Sequence, residues 1–264
     1  MPEAVRGERR LHLTIAEADG AGVVLIPGLG SGMKLFGTLP RRFAKDGLRT
    51  VAFDPVGVPP SSPLDGPFDF DAAADDVFAV ADAAGLSRVH LVGTSLGGKV
   101  ALAAAARHPE RVERIVMLAS ACVTSPRSRR VYRYFEAVAE HLPEDRFADA
   151  VAPFLFGRAF QDARDNVVED IARATRPPEA TRRLMVAQAR ALREWDGIDT
   201  AHRVAAPTLC VAGGQDTLTD VVDVERTAAI LDGGRFLLLP DAGHSLLLET
   251  ADAYRSTLEF LRGA

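Results

Sequence analysis

The sequence predicts an α/β architecture: a mostly parallel central sheet of about eight strands, helices on both faces, and a helical cap insertion. Three observations carry this expectation. Short apolar runs alternate with amphipathic helical stretches over most of the 264 residues, the pattern of strands joined by crossover helices. Between residues 124 and 199 the alternation stops, and only helical periodicity remains. It then resumes with two further strand–helix pairs. The chain therefore reads as one core domain from 1–123 and 200–264, interrupted by a lid-sized insertion at 124–199 that is too long for a plain connection.

Taken in order, LHLTIAEA at 11–18 alternates apolar and polar residues and suits an outer antiparallel strand. VVLIPG at 23–28 is a short buried run. A helix is expected over 35–46, closed by Gly47, and RTVAFD at 49–54 is the next strand. Prolines and glycines make 54–67 a loop. A helix follows from about Asp71 to Ala84, with Ala74, Val77, Phe78 and Ala81 on one face, and Gly85 stops it. RVHLVGTS at 88–95 reads as a strand, LGGKVALAAAARHPE as a helix, and RVERIVMLAS as another strand. After the insertion come the strand PTLCVAGG at 207–214, a helix from about Asp220 to Leu231, the strand RFLLLP at 235–240 and a last helix from about Asp252 to Leu261.

Composition excludes several classes. A formal net charge of -5 leaves no basic footprint for nucleic acid. The apolar run VALAAAA at 100–106 is far below the ~20 residues of a membrane span. The N-terminal MPEAVRGERRLHL has neither an apolar segment nor a small-residue cleavage site, so a cytoplasmic location is expected. Cys122 and Cys210 stand in no metal or redox spacing.

The chemistry centres on GTSLGG at 93–98. This G-x-S-x-G pattern lies where a strand gives way to a helix, the setting in which a serine is thrown clear of the sheet on a strained turn. Gly93 and Gly97 leave room for a close strand–helix crossing. The helix N-terminus favours negative charge beside Ser95. A serine hydroxyl needs a base. His244, in the Gly-containing loop after the last strand, is the candidate. His12 and His90 lie within strands, His108 at a helix end, and His141 and His202 in or beside the insertion. Asp216, just beyond the 207–214 strand, is the candidate to orient the imidazole. Of the nearby carboxylates, Asp220 fits the first turn of the next helix, and Asp241 and Glu249 flank His244 too closely. Backbone N–H groups of Leu96 and of Leu29, in the IPGLGSG loop at 26–32, are the expected oxyanion donors. That loop also invites a dinucleotide reading. Its G-x-G-x-x-G spacing fails at Met33, and Asp54 is the only acidic residue tempting as a ribose partner.

With these residues in place, the chain resembles the α/β-hydrolase superfamily over essentially its full length. The resemblance rests on the loop at 27–30, the elbow at 93–97, the acid in GGQD and GHSLLLE around His244. PERVERIVMLAS at 109–120 and APTLCVAGGQD at 206–216 are similar to the compact branch of carboxylesterases, enol-lactonases, C–C bond hydrolases and cofactor-free perhydrolases. Many relatives have His-Gly where this chain has Pro27-Gly28, and a glycine where it has Pro59. Serine at the elbow sets it apart from relatives that attack with aspartate.

The resemblance implies cleavage of a small, apolar carboxylic ester or lactone through an acyl-enzyme, with neither cofactor nor metal. C–C bond hydrolysis and perhydrolysis by the same residues stay open, as does a ligand-binding role without catalysis. In the insertion, aromatics cluster at Tyr132, Tyr134, Phe135, Phe154, Phe156, Phe160 and Trp195. Tyr134, Phe135, Phe154 and Trp195 are the substrate-pocket candidates. RSRRVYR at 127–133 reads as a solvated face or as an anchor for an acidic substrate. Lys99 is expected to be structural or exposed.

Overall fold

Strands buried on both faces need helices on both faces, and the inner strands of this chain meet that condition. A computed structural model describes residues 2–174 and 176–263. Met1, Ala264 and Thr175, which falls within the 124–199 span, lie outside the described residues. A hairpin of β1 (Glu3–Arg6) and β2 (Arg9–Ala16) opens the sheet. Then come β3 (Gly22–Ile26), a single 3-10 turn (Met33–Phe36), α1 (Leu39–Lys45), β4 (Arg49–Phe53), α2 (Phe70–Ala83), β5 (Val89–Thr94), α3 (Leu96–Arg107) and β6 (Val112–Leu118). Among the described residues, six helices separate β6 from the next strand: α4 (Pro126–His141), α5 (Glu144–Leu155), α6 (Arg158–Ala163), α7 (Asp165–Ala174), α8 (Glu179–Glu194) and α9 (Ile198–Ala201). The chain closes with β7 (Thr208–Gly213), α10 (Val221–Ile230), β8 (Gly234–Leu239), α11 (Leu246–Glu249) and α12 (Ala251–Leu261).

The strand order is β1-β2-β4-β3-β5-β6-β7-β8. The pairings β1–β2 and β2–β4 are antiparallel and the rest are parallel. Period-two alternation divides the core. Val24, Ile26, Leu91, Ile115, Met117 and Cys210 point to the face covered by α2, α3 and α10. Val23, Leu25, Val92, Val116, Leu118 and Leu209 point to the face covered by α1 and α12. A third, smaller cluster holds α4, α5 and α8 together around Phe135, Val138, Phe147, Val151 and Met185. No helix among the described residues is long and apolar enough to cross a membrane.

Two local expectations are corrected. The outer strand is β1, and the strand expected over 11–18 lies inside it, paired with β4. The expected helix over 35–46 is broken, because Gly37 at φ 50° ends the 3-10 turn before α1 begins.

The chain runs from β3 to β4 on one side and then crosses to β5 on the other, so the sheet reverses direction at β3. A crevice at the carboxyl ends of the flanking strands is the favoured place for a site in such sheets. Asp54, at the end of β4, ties the surrounding loops together. Its Oδ1 accepts the Met33 N–H at 2.9 Å and its Oδ2 meets His12 Nδ1 at 3.1 Å. The Ser61 hydroxyl donates to the Asp54 carbonyl at 2.6 Å and accepts the His12 N–H at 2.9 Å. The carboxylate is thus occupied by its own protein, which removes the basis of the dinucleotide reading. Asp54→Ala would strand buried donors and is expected to lower stability by about 2 kcal/mol, as measured by urea unfolding.

Candidate active site

The sharp turn between β5 and α3 is built by close backbone approach. Ser95 holds φ 56° and ψ -119°, a conformation that costs a non-glycine residue about 1–3 kcal/mol. Its N–H donates to the Leu118 carbonyl of β6 at 2.9 Å, and its carbonyl accepts the Gly98 N–H at 3.0 Å. A Cβ on Gly97 would stand 2.1 Å from the Ile26 carbonyl oxygen, and one on Gly93 would stand 2.3 Å from the Gly97 oxygen. Only glycine permits α3 to cross at this depth. The loop after β3 lies against the same turn, because a Cβ on Gly28 would meet the Ser95 Cβ at 3.4 Å.

Asp216 and His244 are brought together. Asp216 lies just beyond β7 and His244 in the loop after β8, and His244 Nδ1 stands 2.8 Å from Asp216 Oδ2. The other carboxylate oxygen, Oδ1, accepts the Leu218 N–H at 2.7 Å and the Thr219 N–H at 3.0 Å. Both side chains are buried. A carboxylate accepts and never donates, so Nδ1 carries the proton and Nε2 keeps its lone pair. Burial pulls the imidazole pKa down, but the Asp216 charge and hydrogen bond, with a smaller pull from Glu249, outweigh it. The net shift is upward from the ordinary histidine value.

The acid loop and the serine turn share one support. The Thr219 hydroxyl donates to the Ala119 carbonyl at 2.9 Å, one residue beyond the Leu118 that holds the Ser95 amide. Ser95, Asp216 and His244 thus all stand beyond the carboxyl ends of β5, β7 and β8, in the parallel part of one sheet. Among the described residues, no protein acceptor takes the N–H of Leu29 or of Leu96, while Gly30 N–H donates to Gln188 Oε1 at 2.8 Å.

The family described as alpha/beta hydrolase fold matches residues 23–251. The chain belongs to this family. It is 32% identical over 259 residues to a protein of Variovorax paradoxus named "Putative carbamate hydrolase RutD", covering 95% of this chain and 96% of that one. It is 28% identical over 264 residues to the human serine hydrolase BPHL, covering 97% of this chain and 84% of that protein. The crystal structure of the enol-lactonase from Burkholderia xenovorans LB400 superposes with a TM-score of 0.88 at 24% identity, covering 99% of this chain and all 100% of that one. That last likeness shows the fold. Together the matches make the chain a hydrolase of the alpha/beta hydrolase fold.

Within this alpha/beta hydrolase, the candidate pocket aromatics divide. Phe135 is buried in the third cluster with Met185, and Leu29, Phe154 and Leu218 pack against it. Leu29 is the loop residue beside Gly28, so this cluster reaches the serine turn. Tyr134 is partly exposed and its hydroxyl donates to the Ala150 carbonyl at 2.8 Å. Trp195 stacks on Phe70 of α2 with ring centroids 4.9 Å apart and packs on the main core. Tyr132 is half-buried against the main core, and desolvation, reinforced by the Asp223 and Asp216 charges, pushes its phenol well above its ordinary pKa.

The arginine run splits as well. The Arg127 guanidinium donates to the Thr217 carbonyl at 2.6 Å, beside Asp216, whereas Arg129 and Arg130 bond backbone carbonyls at the surface and Arg133 is exposed. Lys99 is buried, not exposed. Its ammonium donates to the Ala121 carbonyl and sits 4.8 Å above the Trp195 ring, and burial lowers its pKa to about 8.

Sequence reasoning passed over Gln188. It sits on an amphipathic helix among apolar residues, and a polar residue on the buried stripe of α8 was the available signal. Gln188 is only 1% exposed, so its bond to Gly30 is formed away from water. Gln188→Leu would leave that amide unpaired at nearly constant side-chain volume. Stability is expected to fall by about 1–2 kcal/mol in denaturant titrations, with faster amide hydrogen exchange at Gly30.

Proposed function

We propose that this alpha/beta hydrolase is a serine hydrolase that cleaves small, apolar carboxylic esters or lactones, with Ser95 as nucleophile, His244 as general base and Asp216 as its orienting acid. The observation that carries the reading is the 2.8 Å contact between His244 Nδ1 and Asp216 Oδ2. It fixes the tautomer in which Nε2 is free to take a proton.

In the proposed reaction, Nε2 takes the Ser95 proton as Oγ attacks the carbonyl carbon. The oxyanion is held by the Leu96 and Leu29 amides, whose freedom from protein acceptors and position around the serine turn support that role. The imidazolium returns the proton to the leaving oxygen, and the acyl-enzyme forms. Water, deprotonated by Nε2, attacks the acyl carbon, and collapse of the second tetrahedral intermediate frees the acid and restores Ser95. The helices of 124–199 act as a cap. The apolar cluster of Phe135, Phe154, Met185 and Leu29 supports an apolar acyl or alcohol group beneath it. The name of the Variovorax relative adds carbamates to the substrates worth testing.

Ser95→Ala is expected to lower kcat at least about a thousandfold while leaving the fold intact, measured on p-nitrophenyl esters of graded chain length, a lactone panel and aryl carbamates. A fluorophosphonate probe should label the wild-type protein at Ser95. Absence of labelling would favour the ligand-binding role.

The pH dependence follows from the sign of the His244 shift. The base works only when neutral, so kcat/KM falls as pH drops through its raised pKa, and the acid limb should lie above the free-histidine value of 6.5. Asp216→Asn removes the charge that favours the imidazolium. It should move that limb to lower pH and cut kcat by ~10³–10⁴, read from pH–rate profiles of both proteins.

A further inference from the structure

Glu249 lies at the end of α11, five residues beyond the proposed base. Its carboxylate serves as a hub for three backbone amides. Oε1 accepts the Ser245 N–H at 3.0 Å, and Oε2 accepts the Gly243 N–H at 2.7 Å. These amides stand on either side of His244. The same Oε2 also accepts the Gly157 N–H at 2.9 Å, and Gly157 belongs to the helical insertion, at the start of α6.

The contact between the two backbones is as close as glycine allows. A Cβ on Gly243 would stand 2.1 Å from the Gly157 nitrogen, and one on Gly157 would stand 2.8 Å from the Gly243 nitrogen. Two further bonds tie the same stretch of the insertion to the base and acid loops. The Leu155 carbonyl shares the Ser245 N–H at 3.0 Å, and Gln215 Oε1, next to Asp216, accepts the Ala159 N–H at 3.0 Å. Beside this seam the insertion does not pack tightly on the core. A cavity of about 550 Å³ opens between Phe160, Arg164 and Val167 on one side and Pro240, Leu248 and Glu249 on the other. Polar bonds therefore join residues 155–159 to the base and acid loops, beside the packing of the buried Phe156.

We propose that Glu249 is a positioning residue that makes the seating of the insertion and the alignment of His244 a single event. The inference rests on the reading of His244 as the base. A ligand that shifts 155–159 would, through one shared carboxylate oxygen, also shift the amides bracketing the imidazole. A carboxylate is needed because all three partners are donors, and a carboxamide would turn an N–H toward at least one of them.

The test compares the wild-type protein with Glu249→Gln and Glu249→Asp, using three readouts. Amide hydrogen exchange at Gly157, Gly243 and Ser245 is read first. The NMR titration of the His244 ring is second and the pH–rate profile third. The charged groups around the seam are Asp216 on His244, and Arg164, Asp241 and Asp252 around the cavity beside Glu249. All remain in both variants. In Glu249→Gln, exchange at all three amides should rise about tenfold or more, and the His244 titration should move to lower pH as a negative charge is lost. kcat/KM should fall by about ten- to a hundredfold, mostly in kcat. Glu249→Asp keeps the charge on a shorter arm. Its ring titration should stay nearer the wild-type position while the amides still exchange faster.

A variant that folds and leaves both the ring titration and the Gly157 and Gly243 exchange unchanged overturns the proposal. If neither variant folds, the wild-type exchange decides: equal protection of Gly157, Gly243 and Ser245 upholds it, and an unprotected Gly157 sinks it. Exchange and titration need no turnover. A wild-type protein that a fluorophosphonate fails to label at Ser95 would count against the hydrolytic reading and leave the coupling to be judged by these two measurements.

Discussion

The backbone at Ser95 cannot relax without moving the sheet. Its positive φ is held from below by the Leu118 carbonyl of β6 and from above by the turn of α3 that returns the Gly98 amide to it. The crossing at Gly97 brings α3 against the Ile26 carbonyl, so the end of β3 and the start of the 27–32 loop are fixed by the same contact. Strain of ~1–3 kcal/mol at one residue is small against the burial of the six parallel strands around it. The surrounding core therefore decides, and the backbone of Ser95 keeps its positive φ.

A second constraint is electrostatic. Burying an imidazole beside a carboxylate is costly unless the carboxylate is satisfied. Asp216 meets that condition with two backbone amides on one oxygen and the ring on the other. The turn that supplies those amides is anchored through Thr219 to Ala119, itself at positive φ just past β6. The carboxylate, the ring and the serine turn are thus referred to the same pair of central strands. The proposed proton transfer, which depends on close placement, would benefit from such a common base.

Much of this was legible in the residues. Near-continuous apolar runs such as VVLI and TLCVAG announced doubly covered parallel strands, and glycine spacing announced the tight crossing at 93–97. The pairing of Asp216 with His244 followed from their places after successive strands. Other features were hidden for physical reasons. β1 has four residues and one buried side chain, too short for periodicity to speak. The burial of Lys99 depends on Trp195, ninety-six positions away, and such a contact has no local signature. Gln188 and Glu249 act on backbone amides, which every residue has, so nothing at Gly30, Gly157 or Gly243 marks them as partners. Arg127 looked like part of a charged face but reaches the carbonyl next to Asp216, because a long side chain at the end of a helix is not confined to its own surface.

The insertion is joined to the core in two physically different ways. Through Phe135, Met185 and Leu29 it makes apolar contacts, which adapt to substitution because any side chain of similar volume fills the space. Through Gln188 at Gly30, and through the bonds at 155–159, it makes directional contacts to backbone atoms beside the proposed oxyanion donor and beside the proposed base. The first kind lets the shape of a pocket drift while the fold persists. The second kind tolerates drift less, since each bond is directional, and those at Gly30 and Gly157 leave a partly buried amide unpaired when they break. In the proposed reaction, a division of this sort separates the part of the insertion that would line the substrate pocket from the part that holds the Gly30 loop and the 243–245 loop in place. On that reading the directional bonds of Gln188, Gln215 and Glu249, rather than the aromatic cluster, form the mechanical connection between insertion and core.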